Sequence, residues 1–216
     1  MSPDSPSTVG PAGVRIGVLA SGSGTILEAI IAADLPVALA VADRSCRALD
    51  VASSAGIAAA LVDRSDFGGF GPGFARDRYT EAVTAVLGEY RIDVVVMAGF
   101  GTVLGQAVHD AFPARILNTH PALLPAFPGW HAVRDALAAG VEETGTTVHI
   151  ATLEMDAGPV LAQAAVRVLP DDTEASLHER IKAVERTLYP ETISTFVAGL
   201  ATAPGDGPGS PSEVAP

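Results

Sequence analysis

The chain has 216 residues, of which 48% are hydrophobic and 18% charged, so it can bury a sizeable core and global disorder is excluded. Its 13 basic and 25 acidic residues give a net charge of −12, which argues against a nucleic-acid partner because such partners select a basic surface. Lys182 is the only lysine, and a single cysteine, Cys46, excludes a disulfide within the chain.

Both ends of the chain are rich in Pro, Gly and Ser and poor in apolar residues. We therefore predict disordered tails at residues 1–13 and 202–216 around one domain, residues 14–201, which carries a net charge of −9. The N-terminal segment lacks the basic start and apolar run of a signal peptide, and the apolar stretches elsewhere are too short to span a membrane. We expect a cytoplasmic protein without a membrane partner.

Strand-like and helix-like segments alternate through the first half of the chain. Short apolar runs predict strands at 14–20, 37–41, 58–62 and 92–98, and helical periodicity predicts helices at 25–33, 47–55 and 74–89. The segment 67–73 (FGGFGPG) is predicted to be a flexible loop. Such alternation is typical of a parallel sheet with helices on both faces.

The pattern changes in the second half. Strands are predicted at 116–119, 146–152 and 160–168, with a turn at 155–159 that is short enough for an antiparallel hairpin. A closing helix is predicted at 174–198, with an interruption at Pro190. The fold class is therefore a single-domain α/β fold with a mixed, mainly parallel sheet and antiparallel strands towards the C-terminal side. Ligands of such sheets bind beyond the carboxyl ends of the strands.

A glycine-rich loop, residues 21–25 (SGSGT), joins the first predicted strand to the first helix. Backbone N–H groups and the helix dipole favour a phosphate there. A dinucleotide fingerprint needs a small residue at position 27, where Leu27 stands, although Asp43 occupies the place of a ribose-binding acid. A tight turn without chemistry is the remaining interpretation.

Asn118 and His120 follow one another on the same face at the end of a predicted strand. An amide and an imidazole pointing to one sheet edge can polarise a carbonyl and stabilise an oxyanion. A proline-rich segment follows them and predicts a rigid loop.

Asp156 lies in the predicted hairpin turn, where Asp is also common for structural reasons. Its position at the end of another strand places it across from His120, and a carboxylate beside an imidazole favours the charged imidazolium. We expect His149, within an alternating strand, to be a half-buried structural residue. The remaining histidines lack the spacing of a metal site, so no metal is required.

These motifs resemble those of the folate-dependent formyltransferases. The matching residues are Asn118-x-His120-Pro121-x-Leu123-Leu124-Pro125, Gly145-Thr146-x-Val148-His149 and Asp156-x-Gly158-Pro159. Together with the Ser-Gly-x-Gly-Thr loop and Glu185-x-x-x-Tyr189-Pro190, they are similar to the glycinamide ribonucleotide (GAR) formyltransferases of purine synthesis. The resemblance runs from about Val14 to Phe196 and implies their Rossmann-like fold.

The resemblance implies that the amino group of GAR attacks the formyl carbon of the co-substrate 10-formyltetrahydrofolate. It implies that Asn118 contacts the formyl oxygen, that His120 stabilises the tetrahedral oxyanion, and that Asp156 charges the imidazole and relays a proton. Such acyl transfer needs oxyanion stabilisation and proton removal.

The resemblance also implies two sets of binding residues. The GAR set comprises Ser23, Gly24, Thr25, Ile26, Pro121, Lys182 and Glu185, with the phosphate on the loop amides and the ribose on Glu185. The folate set comprises Met97, Gly99, Phe100, Thr102, Val103, Leu104, Thr152, Leu153, Glu154 and Met155. Relatives commonly have Asn in place of Ile26, Arg in place of Thr102 and Lys in place of Ala126. We hypothesise that Lys182 supplies the missing cation to the phosphate.

Parts of the same sequence pattern are compatible with other functions. A catalytically silent nucleotide-binding module would keep the glycine loop but would not need Asn118, His120 and Asp156 together. A formyltransferase acting on another amine, such as an amino sugar nucleotide, is the second alternative. A transfer-RNA formyltransferase is disfavoured by the acidic charge. The sequence is compatible with a homodimer.

Overall fold

The computed structural model describes residues 13–202, and nearly all of both predicted tails lies outside these residues. The seven strands are β1 Ile16–Ala20, β2 Val37–Ala42, β3 Ala58–Leu61, β4 Val94–Met97, β5 Ile116–His120, β6 Glu143–Ile150 and β7 Val160–Arg167. The helices are α1 Thr25–Ala32, α2 Arg47–Ser54, α3 Arg76–Glu89, α4 Gln106–Ala111, α5 Ala132–Ala138 and α6 Glu174–Thr202, with a short 3-10 helix at Arg64–Phe67.

All seven strands form one sheet in the order β3-β2-β1-β4-β5-β6-β7. Strands β1 to β5 are parallel, and β6 and β7 are antiparallel to their neighbours. The predicted fold class is thus confirmed. The strand order reverses between β1 and β4, so a crevice opens beyond their carboxyl ends, where ligands bind in sheets of this kind.

Helices cover both faces of the sheet, which explains why the central strands are apolar along their whole length. Helices α1, α2 and α6 pack on one face, against Ile16 and Val18 among others. Helices α3 and α4 pack on the other face, against Leu19 and Val95. All five residues of β1 are buried. Strands buried on two faces cannot alternate apolar and polar residues, as the sequence of β1 shows.

The predicted elements correspond to observed ones with shifts of a few residues, and the two short helices α4 and α5 and the 3-10 helix were not predicted. Helix α4 has six residues and buries only Val108, so it leaves too little periodicity to detect. The predicted interruption at Pro190 is wrong, because α6 continues through it. Tyr189 and Ile193 are fully buried on either side of this proline, and their packing outweighs the loss of one backbone donor. Among the described residues, no helix is long and apolar enough to cross a membrane.

Candidate active site

The side chains of Asp156 and His120 lie together in the structure. His120 is the last residue of β5, and Asp156 lies in the connection between β6 and β7 with a left-handed backbone (φ 58°), which Asp adopts more readily than most residues. Oδ2 of Asp156 lies 3.3 Å from Nδ1 of His120, and both side chains are buried. The N–H of Gly129 donates to the same carboxylate oxygen at 2.7 Å.

The other ring nitrogen of His120 also faces an acceptor. Nε2 donates to the carbonyl of Phe127 at 2.8 Å. Each ring nitrogen of His120 therefore has an oxygen acceptor within reach, Oδ2 of Asp156 at Nδ1 and the Phe127 carbonyl at Nε2. The proline-rich loop therefore orients the ring.

Asn118 is held by a residue that the sequence assigned to structure alone. In the antiparallel pairing of β5 with β6, Asn118 lies opposite His149, and the amide nitrogen of Asn118 is 3.2 Å from Nε2 of His149. Nδ1 of His149 donates to the carbonyl of Ile150 at 3.0 Å, which leaves Nε2 as the acceptor in the neutral ring. His149 thus accepts one amide N–H of Asn118 and fixes the orientation of the amide, which leaves its second N–H for a ligand.

Burial favours the neutral form of His149. The ring is 1% exposed, and this burial lowers its pKa below the ordinary value, opposed by the Ile150 carbonyl and by the carboxylate of Asp156. Oδ1 of Asp156 is 3.7 Å from Nε2 of His149. The signal that could have found this residue is the strand register, which the sequence does not give.

A cavity of about 360 Å³ lies directly beside these groups. Its walls are mostly apolar, as a flat heterocycle requires. The catalytic candidates Asn118, His120 and Asp156 line it, as do Pro121, Met97, Gly99, Phe100, Thr102, Val103, Leu104, Thr152, Leu153 and Met155. Glu154 does not line the cavity. Of the residues not selected from the sequence, Trp130, His149 and His178 also line it.

Asp43 does not face a ligand. Its side chain is completely buried, and Oδ2 accepts a hydrogen bond from the hydroxyl of Thr102 at 2.8 Å. The acid that could have bound a dinucleotide ribose instead ties the end of β2 to the cavity wall. Together with Leu27, which is also fully buried, this removes the dinucleotide interpretation.

The glycine loop ends in the N-terminus of α1. Gly24 has a left-handed backbone (φ 74°), and its carbonyl accepts the first helical bond, from the N–H of Glu28 at 2.8 Å. The N–H groups of Thr25 and Ile26 precede that bond and have no partner within the helix. The side chain of Ile26 packs into the core, so only its backbone is available to a ligand.

Glu185 and Lys182 lie on α6, outside the lining of the cavity. Glu185 is half-buried beside Thr119, at the carboxyl end of β5. Burial raises the pKa of Glu185, opposed by the Thr119 hydroxyl and the charge of Lys182. Lys182 forms an ion pair with Glu179, with Nζ 3.1 Å from Oε1.

The structure therefore gathers the catalytic candidates and nearly all folate candidates around one cavity. The GAR candidates Ser23, Gly24, Thr25, Ile26, Lys182 and Glu185 do not line it. Thr119 connects the two groups, since it lines the cavity and faces Glu185. In residues 13–202, no group of three or more His, Cys, Asp or Glu is placed to hold a metal ion.

Comparison with known proteins identifies the same region of the chain. The family model described as formyl transferase matches residues 14–193. The phosphoribosylglycinamide formyltransferase of Mycobacterium tuberculosis is 46% identical over 194 residues, covering 87% of this chain and 85% of that protein. The enzyme of the same name from Escherichia coli is 39% identical over 193 residues, covering 86% and 88%.

Two solved structures have a similar fold. The glycinamide ribonucleotide transformylase 1 of Symbiobacterium toebii matches with a TM-score of 0.79 and 41% identity, over 86% of this chain and 88% of that one. The phosphoribosylglycinamide formyltransferase of Bacillus halodurans matches with a TM-score of 0.79 and 36% identity, over 86% and 96%.

Proposed function

Because this chain belongs to the formyl transferase family, we propose that it transfers the formyl group of 10-formyltetrahydrofolate to the amino group of GAR in purine biosynthesis, with Asn118, His120 and Asp156 as its catalytic residues. The observation that carries the assignment of residues is their convergence on one apolar-walled cavity. Fold likeness alone would not suffice, since one fold hosts many chemistries.

Asn118 and His120 stabilise the oxyanion. When the amine attacks the formyl carbon, negative charge develops on the formyl oxygen. An amide N–H of Asn118 donates to it, because His149 holds the Nδ2 end of that side chain inward. His120 acts through its positive charge, since both of its ring nitrogens already face protein acceptors.

Asp156 transfers the proton. The attacking nitrogen must lose a proton, and N10 of the folate must gain one as its bond to the formyl carbon breaks. Asp156 is an acceptor of suitable type beside His120, and it passes the proton on to the leaving nitrogen. The N–H of Gly129 fixes Oδ2, which leaves Oδ1 for this exchange. Protons balance, because one N–H bond is lost at the amine and one is formed at N10.

The GAR phosphate lies at the glycine loop in this proposal. The N–H groups at the start of α1 and the helix dipole supply the attraction, and the ribose hydroxyls bind Glu185. Lys182 lies one turn before Glu185 on the same face of α6 and would exchange Glu179 for the phosphate. A Lys182→Ala variant with an unchanged KM for GAR would remove the lysine from the proposal.

Folate occupies the cavity. Met97, Phe100, Val103 and Leu104 present apolar surfaces to the pterin ring, and the connection that contains Thr152 and Met155 closes the slot. These groups fit the shape of the pterin and exclude water, and they take no direct part in the reaction.

One assay tests the proposed function. The enzyme is incubated with GAR and 10-formyl-5,8-dideazafolate, and deformylation is followed optically. We expect product only when GAR is present. Product without GAR would indicate a hydrolase, no product would favour the silent nucleotide-binding module, and product with an amino sugar nucleotide instead would identify a different amine.

Two further properties are proposed from the sequence. We place the enzyme in the cytoplasm, and the location of a tagged protein tests this. A homodimer is compatible with the chain, and sedimentation of the purified protein distinguishes it from a monomer.

A further inference from the structure

The cavity wall at residues 99–105 contains neither helix nor strand. Side chains from distant segments hold its backbone in place. Oγ of Ser21 accepts from the N–H of Gly101 at 2.6 Å, and Oγ1 of Thr80 accepts from the N–H of Gly105 at 2.8 Å. A segment without its own ladder of backbone bonds depends on such contacts for its position.

Arg64 makes two of these contacts with one nitrogen. Its Nη1 donates to the carbonyl of Gly101 at 2.8 Å and to the hydroxyl of Thr102 at 2.7 Å. That hydroxyl donates in turn to the buried carboxylate of Asp43. A connected chain of hydrogen bonds therefore runs from Arg64 through the cavity wall to the end of β2.

The guanidinium of Arg64 is itself fixed by the segment 67–73 and its neighbours. The carbon Cζ lies 3.6 Å from the ring centre of Phe70 and 4.4 Å from that of Phe74. Arg44 covers Phe70 as well, at 4.5 Å, so this ring has two guanidinium contacts. Nε of Arg64 donates to the carbonyl of Gly69 at 2.9 Å. Cation–π contacts and a hydrogen bond together hold the charged group in one orientation.

We propose that Arg64 is a positioning residue for the folate slot: held by Phe70, Phe74 and Gly69, it fixes Gly101 and Thr102 and with them the wall against which the co-substrate packs. The inference deepens the proposed function and rests on it. It also gives a role to the segment 67–73, which the sequence predicts only as a flexible loop. The segment orients the guanidinium of Arg64, and Arg64 in turn binds Gly101 and Thr102 of the cavity wall.

Kinetics of Arg64→Ala test the proposal. We expect KM for 10-formyl-5,8-dideazafolate to rise about 10-fold, while kcat and KM for GAR change less than about two-fold. The reason is that the lost hydrogen bonds position the folate slot and take no part in formyl transfer. Phe70→Leu should raise the same KM by a smaller factor. The matched control is Arg78→Ala, which removes an equal charge from an exposed position on α3. An unchanged folate KM in Arg64→Ala, or an equal rise in Arg78→Ala, would overturn the proposal.

A double-mutant cycle separates positioning from direct contact with the ligand. If Arg64 acts through Thr102, Arg64→Ala and Thr102→Val should raise the folate KM less together than the product of their separate effects. The effect of Arg64→Ala should also persist with a co-substrate that lacks the glutamate. Multiplicative effects, or an effect confined to the glutamate-bearing co-substrate, would identify Arg64 as a ligand contact instead.

Hydrogen exchange provides a measurement that does not depend on the reaction. In the free enzyme, Arg64→Ala should speed amide exchange in residues 99–105 and leave β6 unchanged. Unaltered exchange in that segment would contradict the proposal even if the formyl transfer assay succeeds, and faster exchange would uphold it even if the enzyme uses another amine. If Arg64→Ala does not fold, Arg64→Lys and Phe70→Leu give the same comparison.

Discussion

The amide of Asn118 and the imidazole of His149 face each other across the antiparallel pair β5–β6, with 3.2 Å between Nδ2 and Nε2. This contact fixes which end of the amide points into the cavity. We expect His149→Leu to lower kcat by about 10- to 100-fold with small changes in either KM, because Asn118 would lose its orientation but not its place.

Steady-state kinetics with both substrates test this expectation for His149. His131→Ala is the matched control, since His131 is exposed on the surface. Unchanged kcat in His149→Leu would show that Asn118 is oriented without it.

Asp156→Asn should lower kcat by about 10²- to 10³-fold, the scale found when a single group of this kind is removed from an active site. The amide keeps the size of the carboxylate and can still accept from the N–H of Gly129, so the thermal midpoint should hardly change. Asn118→Ala should give a loss of similar size. Near-normal turnover by folded Asp156→Asn would refute its role as the proton relay.

The pKa of His149 predicts a pH dependence of stability. Burial lowers this pKa below 6.5, so the unfolded chain binds the proton more readily than the folded protein. The free energy of unfolding should therefore fall as the pH decreases below about 6.5, down to the folded-state pKa. In urea unfolding at several pH values, the difference between wild type and His149→Gln should shrink on acidification. A constant difference would contradict the burial of a neutral ring.

Glu185→Gln should separate stability from binding. Burial raises the pKa of Glu185, so its ionised form destabilises the folded protein at pH above that pKa. The uncharged variant should unfold at an equal or higher temperature at pH 8, while KM for GAR rises about 10-fold and KM for the folate stays the same. A rise in both KM values would instead indicate a general distortion of the site.

Gly24→Ala should weaken GAR binding through the backbone. The residue has a positive φ, and an added Cβ would lie 2.9 Å from Cα of Ala48. Since α2 would have to move, we expect a loss of stability of about 1–2 kcal/mol and a higher KM for GAR. Gly22→Ala is the control, because an added Cβ there meets nothing within 4 Å. Equal changes in stability and in KM for GAR in the two variants would show that close packing of Gly24 against Ala48 is not important for the loop.

The sequence by itself determined the fold class, and it predicted the residues that we propose as the catalytic set. Central parallel strands such as β1 are apolar throughout because both faces are covered, and the sequence carries that pattern directly. Asn118 and His120 lie two residues apart in one strand, so their shared direction follows from local geometry. The sequence predicted Asp156 to lie across from His120 because its turn follows another strand, and the structure brings the two side chains together from a connection that begins beside Leu117.

Only the tertiary structure decided which partners these residues have. His149 was predicted to be structural because its role depends on the register of β5 against β6, a relation between segments 31 residues apart. Asp43 stands in the sequence where a ribose-binding acid would be, but its burial and its hydrogen bond with Thr102 give it a structural role. Arg64 lies 38 residues from Thr102, just before the segment 67–73 that the sequence predicted as a flexible loop. Spacing along the chain reports which face a side chain takes, but long-range pairing decides what lies opposite that face.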